Sequence, residues 1–212
     1  MAKAAPVGPD WVYEIKHDGY RLMVRKRDDR VRVLTGRGAD WTARFPRLVQ
    51  AAKKIKAASF LIDGEGIVYD RKGMPSFALL HSHEYDREVS LCAFDLLELE
   101  GTEIRKKPFE ERKSLLADML KKTKDGIEYN EHIVGDGTLI FKHVCQLGHE
   151  GIAAKRKDLP YESGRSRRWL KIKNPNSPAM KRVEDGGFGL FAESVVHVCI
   201  DDRDGPPSHP RY

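Results

Sequence analysis

The residue with the clearest chemistry is Lys16, in the run Glu14-Ile15-Lys16-His17-Asp18-Gly19-Tyr20-Arg21. An amine that attacks an α-phosphate gives a phosphoramidate, and this divides one difficult transfer into two easier ones. The amine must first shed its proton, which burial and neighbouring cations favour. Suitable cations stand in Trp169-Leu170-Lys171-Ile172-Lys173. Strand periodicity puts Lys171 and Lys173 on one face and Leu170 and Ile172 on the other. Taken alone, the same alternation also fits a solvated strand face.

Carboxylates and an aromatic ring complete the chemical inventory. Asp63-Gly64-Glu65-Gly66 interrupts an apolar run, with Phe60-Leu61-Ile62 before it and Ile67-Val68-Tyr69 after it. Two readings stand: a β-bulge with a surface Glu65, or a carboxylate that binds a ribose hydroxyl or a metal-bound water. Glu150, followed by Gly151 and an apolar strand, invites the same pair. Phe94 in Leu91-Cys92-Ala93-Phe94-Asp95 is either a core aromatic or a platform for a base. His81-Ser82-His83 has no further Cys or His at structural-zinc spacing and reads as surface.

These groups must be positioned by a mixed set of elements. Strand patterns cover 11–16, 20–26, 31–35, 60–69, 89–97, 139–144, 151–155 and 168–172, and helical periodicity covers 45–56 and 108–122. This order predicts an α+β fold of mostly antiparallel sheets flanked by helices. Asp18-Gly19 is a strong two-residue hairpin signal, so the first two strands are expected to pair and set Lys16 opposite Arg21. Like charges so placed repel and call for an anion, unless Glu14 relieves Lys16 on the same face.

The chain is long enough for one substantial core, and 40% hydrophobic with 33% charged residues is ordinary for a globular domain. Its formal charge is +6, and between Lys155 and Arg182 ten basic residues stand against Asp158 and Glu162. Such a stripe suits phosphates. Cys92, Cys145 and Cys199 lack C-x-x-C spacing, which argues against a disulfide framework and a zinc site and for a reducing compartment. No run resembles a signal peptide or a membrane span, so a cytoplasmic protein without membrane contact is expected. One domain over 1–185 is expected, then a tail of doubtful order over 186–212 with one strand at 192–200. The stretch after Lys173 is too short for a five-stranded barrel, whose strands alone take roughly 25 to 30 residues before loops.

In this order the elements resemble the nucleotidyltransferase motifs of ATP-dependent DNA ligases, especially bacterial ligases of the end-joining type. The resemblance runs over 11–185, through 14–21, 35–48, 61–70, 91–101 and 150–175. Its most specific block is Glu150-Gly151-Ile152-Ala153-Ala154-Lys155-Arg156-Lys157 continuing to Ser163-Gly164-Arg165-Ser166-Arg167-Arg168-Trp169-Leu170-Lys171-Ile172-Lys173. The resemblance implies an ATP-grasp-like nucleotidyltransferase fold with an ATP cleft; relatives add a C-terminal OB-fold, from which this chain is expected to depart because the stretch after Lys173 is too short for one. It implies that Lys16 carries a covalent AMP, Glu14 lines the adenine pocket and Phe94 stacks on adenine. Arg21 would meet the ribose or the nick phosphate, Glu65 the ribose or a metal, and Glu150 the metal. Lys171 and Lys173 would contact the α-phosphate, with Arg165, Arg167 and Arg168 on DNA.

ATP and Mg²⁺ or Mn²⁺ are the implied cofactors, and nicked or broken DNA near the nucleoid is the implied substrate. A monomer is expected, with an OB-fold domain or a DNA-end-binding protein acting in trans. In Thr35-Gly36-Arg37, glycine stands where relatives usually carry arginine, and Arg37 follows one place later as the candidate ribose contact. The alternatives are an RNA ligase or capping-type nucleotidyltransferase, which share the lysine motif, and a non-catalytic binder of nucleic-acid ends, for which the basic stripe would suffice.

Overall fold

A computed structural model describes residues 4–123, 125–164, 166 and 168–180. The expected tail over 186–212, its strand at 192–200, and Arg165 and Arg167 lie outside the described residues. In chain order the elements are β1 (Trp11–Lys16), β2 (Tyr20–Arg27), β3 (Arg30–Thr35), α1 (Pro46–Lys54), β4 (Ser59–Ile67), α2 (Phe77–His81), β5 (Ser90–Leu99), β6 (Thr102–Glu103), α3 (Phe109–Leu120), β7 (Ile127–Tyr129), β8 (His132–Ile133), α4 (Gly137–Gln146), β9 (Gly151–Arg156) and β10 (Trp169–Lys173), with one 3₁₀ turn at Asp86–Glu88.

Two sheets result. The larger runs β3-β2-β4-β5-β6, with β7 added parallel to β5; the smaller runs β10-β9-β1-β8 and is antiparallel. Alternation along the strands decides what each face carries. Leu22 and Val24 of β2 and Phe60 and Ile62 of β4 enter the main core with Leu48 of α1 and Leu116 of α3. The intervening Met23 and Leu61 join Leu97 and Tyr161 on the opposite face, against Trp169 from the smaller sheet. A separate core under the smaller sheet holds Tyr13, Val144, Ile152, Ala154 and Ile172, with Ile15 and Leu170 packed on it. Glu14, Lys16, Lys155, Lys171 and Lys173 lie on the opposite face, together with Val12, Ala153 and Trp169.

Two expectations fail. The first two strands do not form a hairpin, because β1 pairs with β8 and β9 while β2 pairs with β3 and β4. Asp18-Gly19 instead carries the chain from one sheet to the other. Gly19 does not adopt the positive φ of a hairpin turn; it is needed because a Cβ there would lie 2.2 Å from the Gly66 carbonyl oxygen. The strand expected at 139–144 is the helix α4. Asp136 caps it by accepting from the Thr138 and Leu139 amides at 2.8 and 3.0 Å. Ile140, Phe141 and Val144 then meet the small core at helical spacing, and Leu139 is left exposed.

Candidate active site

β1 ends at Lys16, directly opposite Gly151 of β9, which in turn faces Lys173 of β10. Gly151 has φ +148°, and a Cβ there would lie 2.1 Å from the Ile172 carbonyl oxygen. Glycine therefore allows β10 to close against β9 beside Glu150. Lys16 Nζ donates to Glu150 Oε2 at 2.5 Å, and Lys173 Nζ lies 3.8 Å from the other oxygen of that carboxylate. Burial pushes the Glu150 carboxyl above the usual carboxylate range; Lys16 opposes that rise and Asp18 adds to it.

From the larger sheet, β2 and β4 align Arg21 with Glu65 and Met23 with Asp63. Glu65 is half-buried, and its pKa is pushed up to about 7, chiefly by burial. Lys16, Arg21 and Lys171 pull the other way, whereas Glu150 repels it. Glu65, Glu150, Lys16, Arg21 and Lys171 thus share one electrostatic neighbourhood. The strand continues through Asp63-Gly64-Glu65, with a register shift against β5 between Asp63 and Gly64. The register shift bears out the bulge, and Glu65 beside it is half-buried rather than a surface side chain.

Glu14 is not the partner of Lys16. It is buried between Lys113 Nζ at 2.7 Å and Lys155 Nζ at 2.5 Å. Burial alone would raise its pKa, yet the two ammonium groups hold the carboxyl below its ordinary value. Lys155 therefore leaves the surface stripe: its Nζ sits 4.2 Å from the Trp169 ring centroid and 4.6 Å from that of Phe94. Phe94 is half-buried, edge-on to Trp169 at 6.3 Å and beneath the Arg21 guanidinium at 5.8 Å.

Arg37 is exposed, in the turn where the Gly38 amide donates to the Thr35 carbonyl. Gly36 is buried and its amide donates to the Arg21 carbonyl at 3.1 Å, so the chain passes closely there. Arg168 is half-buried with Nε 3.6 Å from Glu162 Oε2. Among the described residues no cluster of three or more His, Cys, Asp or Glu could hold a metal by itself, and no helix is long and apolar enough to cross a membrane.

Sequence reasoning left out Asp63, Tyr161, Lys113 and the buried Asp95–Arg112 pair as parts of the site. Asp63 binds Arg21 through both oxygens, at 3.1 and 2.7 Å. Arg112 binds Asp95 in the same two-point manner beneath, at 2.8 and 2.9 Å. Asp63 had a signal, a carboxylate inside an apolar strand. Lys113 had none, because a lysine among helical charges reads as solvated.

This architecture is that of a nucleotidyltransferase domain. It resembles the ligase domain of LigD from M. tuberculosis with a TM-score of 0.70 and 34% identity, over 77% of this chain and 54% of that one. It resembles a mycobacterial DNA ligase D complexed with ATP and MES with a TM-score of 0.69 and 33% identity, over 80% and 58% of the two chains. The family model of the ATP dependent DNA ligase domain matches residues 3–173, and the chain belongs to that family. The multifunctional non-homologous end joining protein LigD of Pseudomonas aeruginosa is 37% identical over 172 residues, which are 79% of this chain and 20% of that protein. The chain thus spans about a fifth of the length of that relative.

Proposed function

We propose that this domain joins DNA strands through a lysyl-AMP intermediate on Lys16. The amine attacks the α-phosphorus of ATP, a P–N bond forms as the bond to the bridging oxygen breaks, and pyrophosphate leaves. Glu150 Oε2, 2.5 Å from Nζ, is within reach of the proton the amine sheds. AMP passes next to a 5′-phosphate at a nick or break, and the neighbouring 3′-hydroxyl displaces it to make the phosphodiester. The observation that carries this reading is one carboxylate, Glu150, shared by Lys16 and Lys173 in a chain of the ligase family.

The remaining groups take matching roles. Phe94 offers a face to adenine above the Glu14 cluster, Lys171 and Lys173 meet the α-phosphate, and Arg21 meets the ribose or the nick phosphate. Arg37 is the candidate ribose contact, and Arg165, Arg167 and Arg168 serve the rim, where nicked or broken DNA binds. An OB-fold domain or an end-binding protein would complete the grip in trans, and the setting is the bacterial cytoplasm around the nucleoid.

A divalent cation fits this chemistry. Glu65, with its pKa near 7, and Glu150, also raised, are two carboxylates short of positive charge. Mg²⁺ takes one or two carboxylates together with substrate phosphates and water. Glu65 and Glu150 would hold Mg²⁺ or Mn²⁺, which when bound neutralises charge on the transferring phosphate.

Labelled ATP with metal, followed by a nicked duplex, tests the reading. The expected outcome is a labelled covalent adduct in the wild type, none in Lys16→Ala, and a sealed strand after DNA is added. An adduct that persists in Lys16→Ala overturns the assignment. Preference for GTP would favour a capping enzyme, joining of RNA alone an RNA ligase, and DNA binding without any adduct a non-catalytic end binder.

A further inference from the structure

The connection between β9 and β10 belongs to the smaller sheet, yet one of its side chains crosses to the larger one. Tyr161 is buried, its ring packed with Met23, Leu61 and Leu97. Trp169 of β10 meets that ring edge-on at 5.3 Å. Its hydroxyl donates to Asp63 Oδ2 at 2.9 Å and accepts from Arg21 Nη2 at 2.9 Å. The backbone is held as well, because the Tyr161 amide donates to the Arg105 carbonyl at 2.9 Å and the Phe109 amide donates to the Leu159 carbonyl at 3.0 Å.

The consequence for Arg21 is geometric. A guanidinium has five N–H donors in a fixed plane. Asp63 takes the Nε edge at two points and Tyr161 takes the remaining hydrogen of Nη2, which fixes the plane and, among the described residues, leaves the Nη1 edge for another acceptor. We propose that Tyr161 is a positioning residue for Arg21, latching the β9–β10 connection onto the opposite sheet so that Arg21 presents one defined edge to the nucleotide or nick phosphate. This inference rests on the ligase reading of the site. It adds a residue that acts through Arg21 rather than on the reacting atoms, and it makes the backbone around Tyr161 mechanically dependent on the Arg21–Asp63 pair.

Tyr161→Phe is the direct test, because it keeps the ring and its packing and removes only the hydroxyl. Two rates are measured on the full chain: adduct formation from labelled ATP, and sealing of a nick that already carries a 5′-adenylate. Arg21→Ala defines which of the two depends on Arg21. Tyr161→Phe is expected to slow that same step by about tenfold, the scale of one charge-assisted hydrogen bond, with the melting temperature held and the other step much less affected. In the Arg21→Ala background it should add no further loss, as for two residues acting as one unit.

Wild-type rates in Tyr161→Phe, an equal loss at both steps with a lowered melting temperature, or full additivity in the double variant each overturn the inference while leaving the ligase reading intact. A wild-type chain that makes no adduct and seals no nick overturns that reading and this inference together.

Discussion

Two clusters with the same ingredients, a glutamate between two lysines, stand side by side on one face of the smaller sheet. Around Glu14, the side chains of Glu14, Lys113 and Lys155 expose only 2%, 1% and 3% of their surface. Around Glu150, Lys16 and Lys173 keep 19% and 13%. The carboxyl pKa values move in opposite directions. Glu14 is held low because both ammonium groups sit within 2.7 Å and outweigh its burial. Glu150 is raised because burial outweighs one close lysine and one at 3.8 Å, with Asp18 adding repulsion. In the closed cluster two close ammonium groups hold the carboxylate charged, and the cluster joins β1, α3 and β9. The open one is left short of positive charge, which suits a group that must release a lysine or accept a metal.

The difference can be broken from the closed side first, where the effect is largest. Lys113→Ala removes one of two partners of a fully buried carboxylate, and such a loss costs about 3–5 kcal/mol. Urea unfolding should show that fall, whereas Lys173→Ala, at the half-open cluster, should cost under about 1 kcal/mol. Equal costs at the two positions would mean that the clusters do not differ in kind. Glu150→Gln attacks the open side, and here the readouts exchange places. Adduct formation from ATP should fall on the order of 100-fold, the scale of a lost proton acceptor, with little change in the urea midpoint. A variant that forms adduct at the wild-type rate would leave Glu150 as scaffold.

Legibility in the sequence divided along the same line. Alternation put Lys171 and Lys173 on one face of their strand, because Leu170 and Ile172 give the period away, and the register of β10 against β9 keeps them there. The order of the motifs along the chain carried the family resemblance. Partnership was not legible. Lys16 and Glu150 lie 134 residues apart, and Asp18-Gly19 points locally to a hairpin while long-range pairing uses it to change sheets. The helix at Gly137–Gln146 was hidden by β-favouring Leu139, Ile140, Phe141 and Val144, whose capping Asp136 was the signal available. Lys113, Lys155 and Tyr161 were unreadable for one shared reason: a polar residue in a helix face, a basic stripe or a loop looks solvated until the fold supplies a buried partner.

Glu65 gives the smallest and finest test, because it reports on the open cluster without a nucleotide. Its pKa in the folded protein is about 7, against roughly 4.3 for an unperturbed glutamate. Between those values the folded state binds more protons than the unfolded one, so ν_U minus ν_N is negative and unfolding free energy falls as pH rises through that window. Glu65→Gln removes this dependence. Relative to the wild type it should gain stability from about pH 5 to about pH 8, on the order of 2 kcal/mol, read from urea unfolding without metal. Glu150, raised as well, leaves a residual slope of the same sign in both proteins. Parallel stability curves would mean that Glu65 is already compensated by Lys16, Arg21 and Lys171, and the open cluster would then resemble the closed one in electrostatics as it does in composition.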